Sequence, residues 1–168
     1  MWKVLAKIEM LIKYILAVLI LFFSACSMKN YERTQSKIII IKSPKIKFAD
    51  LGYVRSTGTH VELELFMAGK SIKKIEINKL ICIDEGCMTR GTFNEDYLNE
   101  SYPSNLFQHI LLGMPIYDIK NLEKNENGFI QKIKNEDVDI KYRVNNKQIF
   151  FKDRKNNIII KIKELNEQ

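Results

Sequence analysis

The chain has 168 residues, 27 Lys and Arg against 20 Asp and Glu, two His, three Cys and seven Gly, for a formal charge of +7. At 46% hydrophobic and 28% charged it is globular rather than disordered, and its length holds one or two domains. Two His and three Cys argue against an elaborate metal or haem protein, and no Walker or Rossmann glycine pattern occurs. A basic total suits nucleic acid, but the lysines alternate with isoleucines, as in KIIIIK and IIIKIK, with no Arg cluster or glycine–aromatic RNA motif. That pattern reads as solvated strand faces, with weak attraction to anionic lipid as the alternative.

Residues 1–13 carry Lys3, Lys7 and Lys13 against Glu9, and residues 14–23 (YILAVLILFF) are uncharged and apolar. Ser24, Ala25 and Cys26 follow. A positive region, a short apolar run and small residues before a cleavage point make a secretory signal. The uncharged run from Tyr14 to Met28 is too short to span about 30 Å of hydrocarbon comfortably. The alternative is an anchor that is retained, extended back through Leu11 and Ile12. Removing the three lysines and Glu9 takes two units off the +7.

Phe23-Ser24-Ala25-Cys26 resembles the lipobox of bacterial lipoproteins, with Phe23 in place of the usual Leu. The resemblance implies cleavage before Cys26, a diacylated sulfur and an acylated amine, giving several chains where one would hold only weakly. Ser27, which is not Asp, implies by resemblance to Gram-negative sorting the periplasmic face of the outer membrane. The expected organisation is a cleaved signal at 1–25, a lipidated tether at 26–36 and a single β-rich domain at 37–168.

In an exported chain, Cys82 and Cys87 meet an oxidising compartment. They flank Ile83-Asp84-Glu85-Gly86, which is turn chemistry between apolar flanks, and in a hairpin they face each other across the strands. A disulfide is expected. Thioredoxin-type redox centres space their cysteines by two residues, and His60 and His109 are too few to complete a metal site.

From Lys37 onward the chain reads as short strands. Lys37–Lys42 is the first; Pro44 breaks it, and Ile46–Phe48 resumes it. Gly52–Thr57 is next, with a turn at Thr57-Gly58-Thr59. Residues 60–67 alternate, with Val61, Leu63, Leu65 and Met67 on one face and His60, Glu62, Glu64 and Phe66 on the other. Ala68–Ser71 is a hairpin loop, and 72–78 and 79–83 continue the meander. Asn94–Leu98 forms a turn of helix. Asn105–Leu112 forms a second helix, capped by Ser104 and stopped by Gly113 and Pro115, with Leu106, Phe107, Ile110 and Leu111 on one face. Residues 120–127 are a polar loop. Three strands follow: 128–134, 138–144 (turning at Asn145-Asn146) and 147–152. A last strand at 158–163 closes the sheet.

No Ser/His/Asp set, nucleophile elbow or paired-carboxylate motif stands out, so no catalytic residues are assigned and the chain is not read as an enzyme. No cofactor or metal is expected.

Short antiparallel strands, a proline-flanked amphipathic helix ending in Leu112-Gly113-Met114-Pro115, and a C-terminal meander resemble the LolA/LolB superfamily of lipoprotein-localisation factors. In LolB-like chains the segment before the last strands reads roughly Leu-Pro…Leu…Trp-x-Gly-x-Pro. Here Pro103, Leu106, Gly113 and Pro115 match in order, with Ile110 near the place of the Trp. Gly128-Phe129-Ile130-Gln131 and Val138-Asp139-Ile140-Lys141-Tyr142 resemble a following stretch, without its Gly-Trp. The resemblance implies a mainly β (α+β) fold, an open antiparallel half-barrel with a helical lid. A β-sandwich is the alternative. It also implies an apolar cavity for acyl chains, above about 300 Å³, lined by Leu63, Leu65 and Met67, by Ile140 and Tyr142, and by Phe107, Leu111 and Met114. The plain alternative is that these residues are a filled core. The implied partners are the membrane through Cys26 and lipoprotein acyl chains or a periplasmic carrier, with no nucleic acid. A structural or assembly lipoprotein acting through protein contacts is the other reading.

Overall fold

The computed structural model describes Lys7 and residues 12–14, 33–84 and 86–165. Two compact units are present, Met1–Asn30 and Tyr31–Gln168. In the first, residues 12–14 are helical. Cys26 and the rest of the expected signal and lipobox lie outside the described residues. Among the described residues no helix is long and apolar enough to cross a membrane.

The second unit is built on eleven strands: β1 (Arg33–Lys42), β2 (Lys47–Ser56), β3 (Val61–Met67), β4 (Lys70–Ile77), β5 (Ile81–Ile83), β6 (Gly86–Met88), β7 (Leu122–Asn125), β8 (Gly128–Lys134), β9 (Asp139–Asn145), β10 (Gln148–Asp153) and β11 (Ile158–Glu164). They form one antiparallel sheet, ordered β6-β5-β4-β3-β2-β1-β11-β10-β9-β8-β7. The sheet is open, and the described residues form no second sheet, so the sandwich alternative falls. Every neighbouring pair is joined by a short turn except β1 and β11, which pair from Lys37 with Glu164 to Lys42 with Ile159. The two ends of the unit thus meet at its centre, and each end adds a meander outward.

The period of two decides which face is buried. Ile39 and Ile41, Phe48 and Val54, Val61, Leu63 and Leu65, Ile75 and Ile77, and Ile158, Ile160 and Ile162 all point to one inner face and are buried there. Their sequence neighbours form the outer face. At Gly52 a Cβ would stand 2.5 Å from Ile39 Cδ1 and 2.9 Å from the Glu64 carbonyl, so only glycine lets three strands approach on the inner face.

Several boundaries differ from the sequence reading. β1 begins at Arg33, four residues inside the expected tether, because its first residues pair with Arg55 and Ser56 at the far end of β2. Pro44 lies in the β1–β2 turn, where Ser43 and Ile46 exchange backbone and side-chain hydrogen bonds, and β2 then runs unbroken. Ala68 and Gly69, both at positive φ, make a two-residue turn between β3 and β4. The expected loop at 120–127 contains β7, so the C-terminal meander has more strands than the three expected before the closing one. The turn after β9 is Asn146-Lys147.

Candidate functional site

β6 and β7 are the two edges of the sheet, yet they are consecutive in the chain. The connection between them, residues 89–121, therefore has to cross the whole inner face. Among the described residues of this unit, both α-helices lie in it: α1 (Arg90–Tyr97) and α2 (Leu106–Leu112). α1 begins four residues earlier than expected because Thr89 caps it, its side chain accepting from Thr92 N. The N-cap position of α2 falls on Asn105 rather than Ser104, with no side-chain capping bond, and the helix ends as expected at Gly113 in the left-handed region.

This strap is held by apolar packing in the middle and by buried polar bonds at its ends. Phe93 and Phe107 pack ring to ring at 5.1 Å, and both are buried. A continuous aromatic row, Phe129–Tyr142–Phe151–Tyr102, runs from the sheet into the strap. Leu98, Leu106, Ile110, Leu111 and Ile116 complete the core with the inner-face isoleucines.

The expected cavity residues divide. Leu63, Leu65, Phe107, Leu111, Ile140 and Tyr142 are all brought together where strap and sheet meet, and all are buried. Met67 and Met114 are not with them and are corrected here; they are 52% and 43% exposed. A register shift between Leu65 and Phe66 breaks the alternation that would carry Met67 inward. Met114 follows the left-handed Gly113, which turns the chain away from the helix's buried face.

The inner face is filled by these side chains. The cavity above about 300 Å³ that the resemblance implies is not open between sheet and strap among the described residues. What opens there is a pair of adjoining clefts, 160 and 100 Å³, at the end of α2. They share Lys37, Leu112, Ile149 and Ile162, so their floor is apolar and their rim is charged. Lys37 Nζ pairs with Glu164 at 2.9 Å on that rim.

Three polar side chains fasten the strap, and of these sequence reasoning singled out Tyr142 alone, as a cavity residue. Gln131 is fully buried; its amide donates to the Ile116 and Lys120 carbonyls at 2.9 and 2.8 Å, and its oxygen accepts from Ile116 N at 2.8 Å. These bonds bracket a turn in which Tyr117, Asp118 and Ile119 all have positive φ. A run of left-handed non-glycine residues costs about 1 kcal/mol or more at each position, so Gln131 offsets strain as well as satisfying backbone groups. The Tyr142 hydroxyl donates to the Met114 carbonyl at 3.0 Å.

Asp153, also fully buried, accepts from the Tyr102 hydroxyl and Asn156 Nδ2, both at 2.7 Å, and from three backbone N–H groups at 3.0 to 3.3 Å. Burial pushes its carboxyl upward, but the bonds from Tyr102, Asn156 and the backbone outweigh burial and hold it below the ordinary range. Burial and the adjacent Asp153 push the Tyr102 hydroxyl strongly up. Tyr117 is pushed up to about 12, by burial first and then by the charges of Asp153 and Asp137. Only a separation in sequence of 51 residues hid the Tyr102–Asp153 pair.

Cys82 and Cys87 are paired residue to residue in the β5–β6 hairpin and are bonded, with Cα atoms 3.9 Å apart. His60 lies in the turn before β3 and His109 on α2; His109 Nδ1 donates to the Pro115 carbonyl at 2.6 Å and braces the end of α2. Among the described residues no group of His, Cys, Asp and Glu is arranged to hold a metal ion. No protein-family model matches this chain, and neither does any curated protein or solved structure.

Proposed function

We propose that the protein is a lipid-anchored factor of the bacterial outer membrane, facing the periplasm, that takes acyl chains of lipoproteins between the inner face of its sheet and the strap, in the manner of LolB. The observation that carries this reading is topological. The strap joins the two edges of an open sheet, so it can lift from the inner face without breaking one strand-to-strand hydrogen bond. Lifting it bares a continuous apolar surface, from Ile75 on β4 to Ile140 on β9. An acyl chain repeats the contacts that Phe107, Leu111 and Ile110 make in the closed state, so the apolar part of the exchange costs little, while the strap's bonds to Gln131, Tyr142 and Asp153 open as it lifts. The clefts beside Leu112 and Ile149 are where entry begins, and cargo would arrive from a periplasmic carrier.

The test uses a fluorescent C16 fatty acid and native mass spectrometry of the purified full chain. Probe binding and co-purified acyl lipid support the reading. Ile149→Trp, which fills the clefts from a half-buried position, is expected to weaken probe binding about tenfold. Absence of both probe binding and lipid overturns it. A second reading, an envelope protein acting through protein contacts, is favoured by the filled interior and by an outer-face hollow of 420 Å³ beside Leu51, Tyr53 and Phe66. Under that reading, Leu51→Asp abolishes function while Ile149→Trp does not.

A further inference from the structure

The outer face of the sheet is electrically divided. On its β2–β4 half the charges are paired: Arg55 bonds Glu62 and Glu64 at 2.6 and 2.7 Å, and Lys74 bonds Glu62 and Glu76 at 2.9 Å. On the half from β8 to β2 they are not. The strand register sets Lys132, Lys141, Lys152, Ile159, Lys42 and Lys47 side by side in one row across six strands. Each is the sequence neighbour of a buried inner-face residue, so each points outward. The next row is Ile130, Arg143, Phe150, Lys161 and Ile40. No carboxylate stands in either row between β8 and β2; the nearest are Glu123 on the β7 edge and Asp139 one row away. None of the ion pairs among the described residues involves these lysines.

Like charges placed directly across strands destabilise a sheet. A row of five lysines therefore asks for an external counter-charge. We propose that this face lies against the anionic headgroups of a phospholipid bilayer. Three features select a membrane. The cations are nearly all lysine, which acts as a point charge, whereas arginine is the residue suited to forked phosphate and base contacts. The half-buried Ile130, Phe150, Ile159 and Ile40 stand among them, giving the mixed basic and apolar surface that seats at a headgroup boundary. The chain from Cys26 to the start of β1 at Arg33 is short enough to span at most about 25 Å. That last point rests on the lipid anchor proposed above. The two features before it do not.

The test adds full-length protein, purified from membranes in detergent, to preformed vesicles of phosphatidylcholine alone or with 30% phosphatidylglycerol. Flotation reports attachment. A pulse of membrane-impermeant acetylating reagent, read by mass spectrometry, reports which lysines are covered. On the anionic vesicles Lys132, Lys141 and Lys152 are expected to react about fivefold more slowly than on neutral ones, with Lys79 on the β4–β5 turn unchanged. High salt removes the difference. Lys141→Glu with Lys152→Glu removes the protection of Lys42 and Lys47 as well. Flotation with both vesicles and equal reaction rates overturns the proposed face and leaves the anchor standing. Flotation with the anionic vesicles alone upholds the face and overturns the anchor; flotation with neither overturns both. Protection of the same lysines by RNA, and not by anionic lipid, assigns the face to nucleic acid and overturns the proposal.

Discussion

Replacing Asp153 by Asn changes one buried oxygen to an NH₂ group and removes one charge, and the hydrogen-bond pattern fixes the cost. Oδ1 serves three backbone donors, from Asp139, Lys155 and Asn156, so the amide oxygen must stay there. The new NH₂ then faces the Tyr102 hydroxyl and Asn156 Nδ2. The hydroxyl can turn and accept. Asn156 cannot flip to accept, because its Nδ2 also donates to the Asp137 carbonyl and its Oδ1 accepts from Asn99. One bond becomes a clash of two donors, at about 1–3 kcal/mol, and the retained backbone bonds lose their charge assistance. The sum is about 3 kcal/mol, or roughly 10 °C in Tm for a unit of this size. Urea unfolding of Tyr31–Gln168, followed by circular dichroism, measures it. Because the folded-state pKa of Asp153 lies below the ordinary 3.8, the folded state binds fewer protons than the unfolded one. The advantage of the native protein over the variant is therefore full above that value and shrinks as pH falls through the folded pKa. A loss under about 1 kcal/mol, or a difference that persists unchanged in acid, refutes the account of this carboxylate as a charged anchor.

Gln131→Leu removes the bonds to Ile116 and Lys120 and strands buried backbone groups, so stability falls by about 3 kcal/mol. Amide exchange at 116–120 rises at least about tenfold more than in β1, as measured by hydrogen–deuterium mass spectrometry. Cys82→Ser opens a loop with a sequence separation of 5 and costs about 2 kcal/mol; alkylation of the unreduced native protein should find neither Cys82 nor Cys87 reactive. Tyr102, Tyr117 and Tyr142 have folded pKa values raised above 10.0, Tyr117 to about 12. Stability is thus full below pH 10 and declines above it as the unfolded chain ionises first, and absorbance at 295 nm should show these tyrosines titrating together with unfolding.

Local period was the legible part of this sequence. The alternation at 61–65 and 138–144 placed Leu63, Leu65, Ile140 and Tyr142 on the buried face, and the glycine after Leu112 marked the end of α2. What failed was local as well. One register shift within β3 put Met67 outside, and β7, four residues of Leu-Glu-Lys-Asn, carries no pattern at all. The long-range facts were out of reach for a different reason. Pairing of β1 with β11 joins Ile-rich segments about 120 residues apart, and nothing in either segment names its partner. The strap's anchors are single polar residues, Gln131 and Asp153, inside strands whose other members look ordinary. Their meaning comes wholly from the backbone groups that the fold delivers to them.

The edges say where this molecule can meet another. An open eleven-stranded sheet has two unpaired ladders, and an unpaired ladder invites association. β6 is only Gly86–Met88, and it is tied to β5 by Cys82–Cys87. Just past it, the Arg90 guanidinium donates twice to the Asn78 carbonyl and turns the chain inward at once. β7 is four residues long, mostly exposed, with Glu123 and Lys124 at its centre. Neither edge offers the length that strand addition needs. The inner face is covered by the strap, and half of the outer face is neutralised by its own ion pairs. Among the described residues the strap's clefts, the lysine face and the hollow beside Leu51, Tyr53 and Phe66 stay open, and under the proposed function the first two suit the same surroundings. One has an apolar floor under a charged rim, and the other is a basic surface seeded with isoleucine and phenylalanine. An amphiphile satisfies the first as a single molecule and the second as a sheet of headgroups.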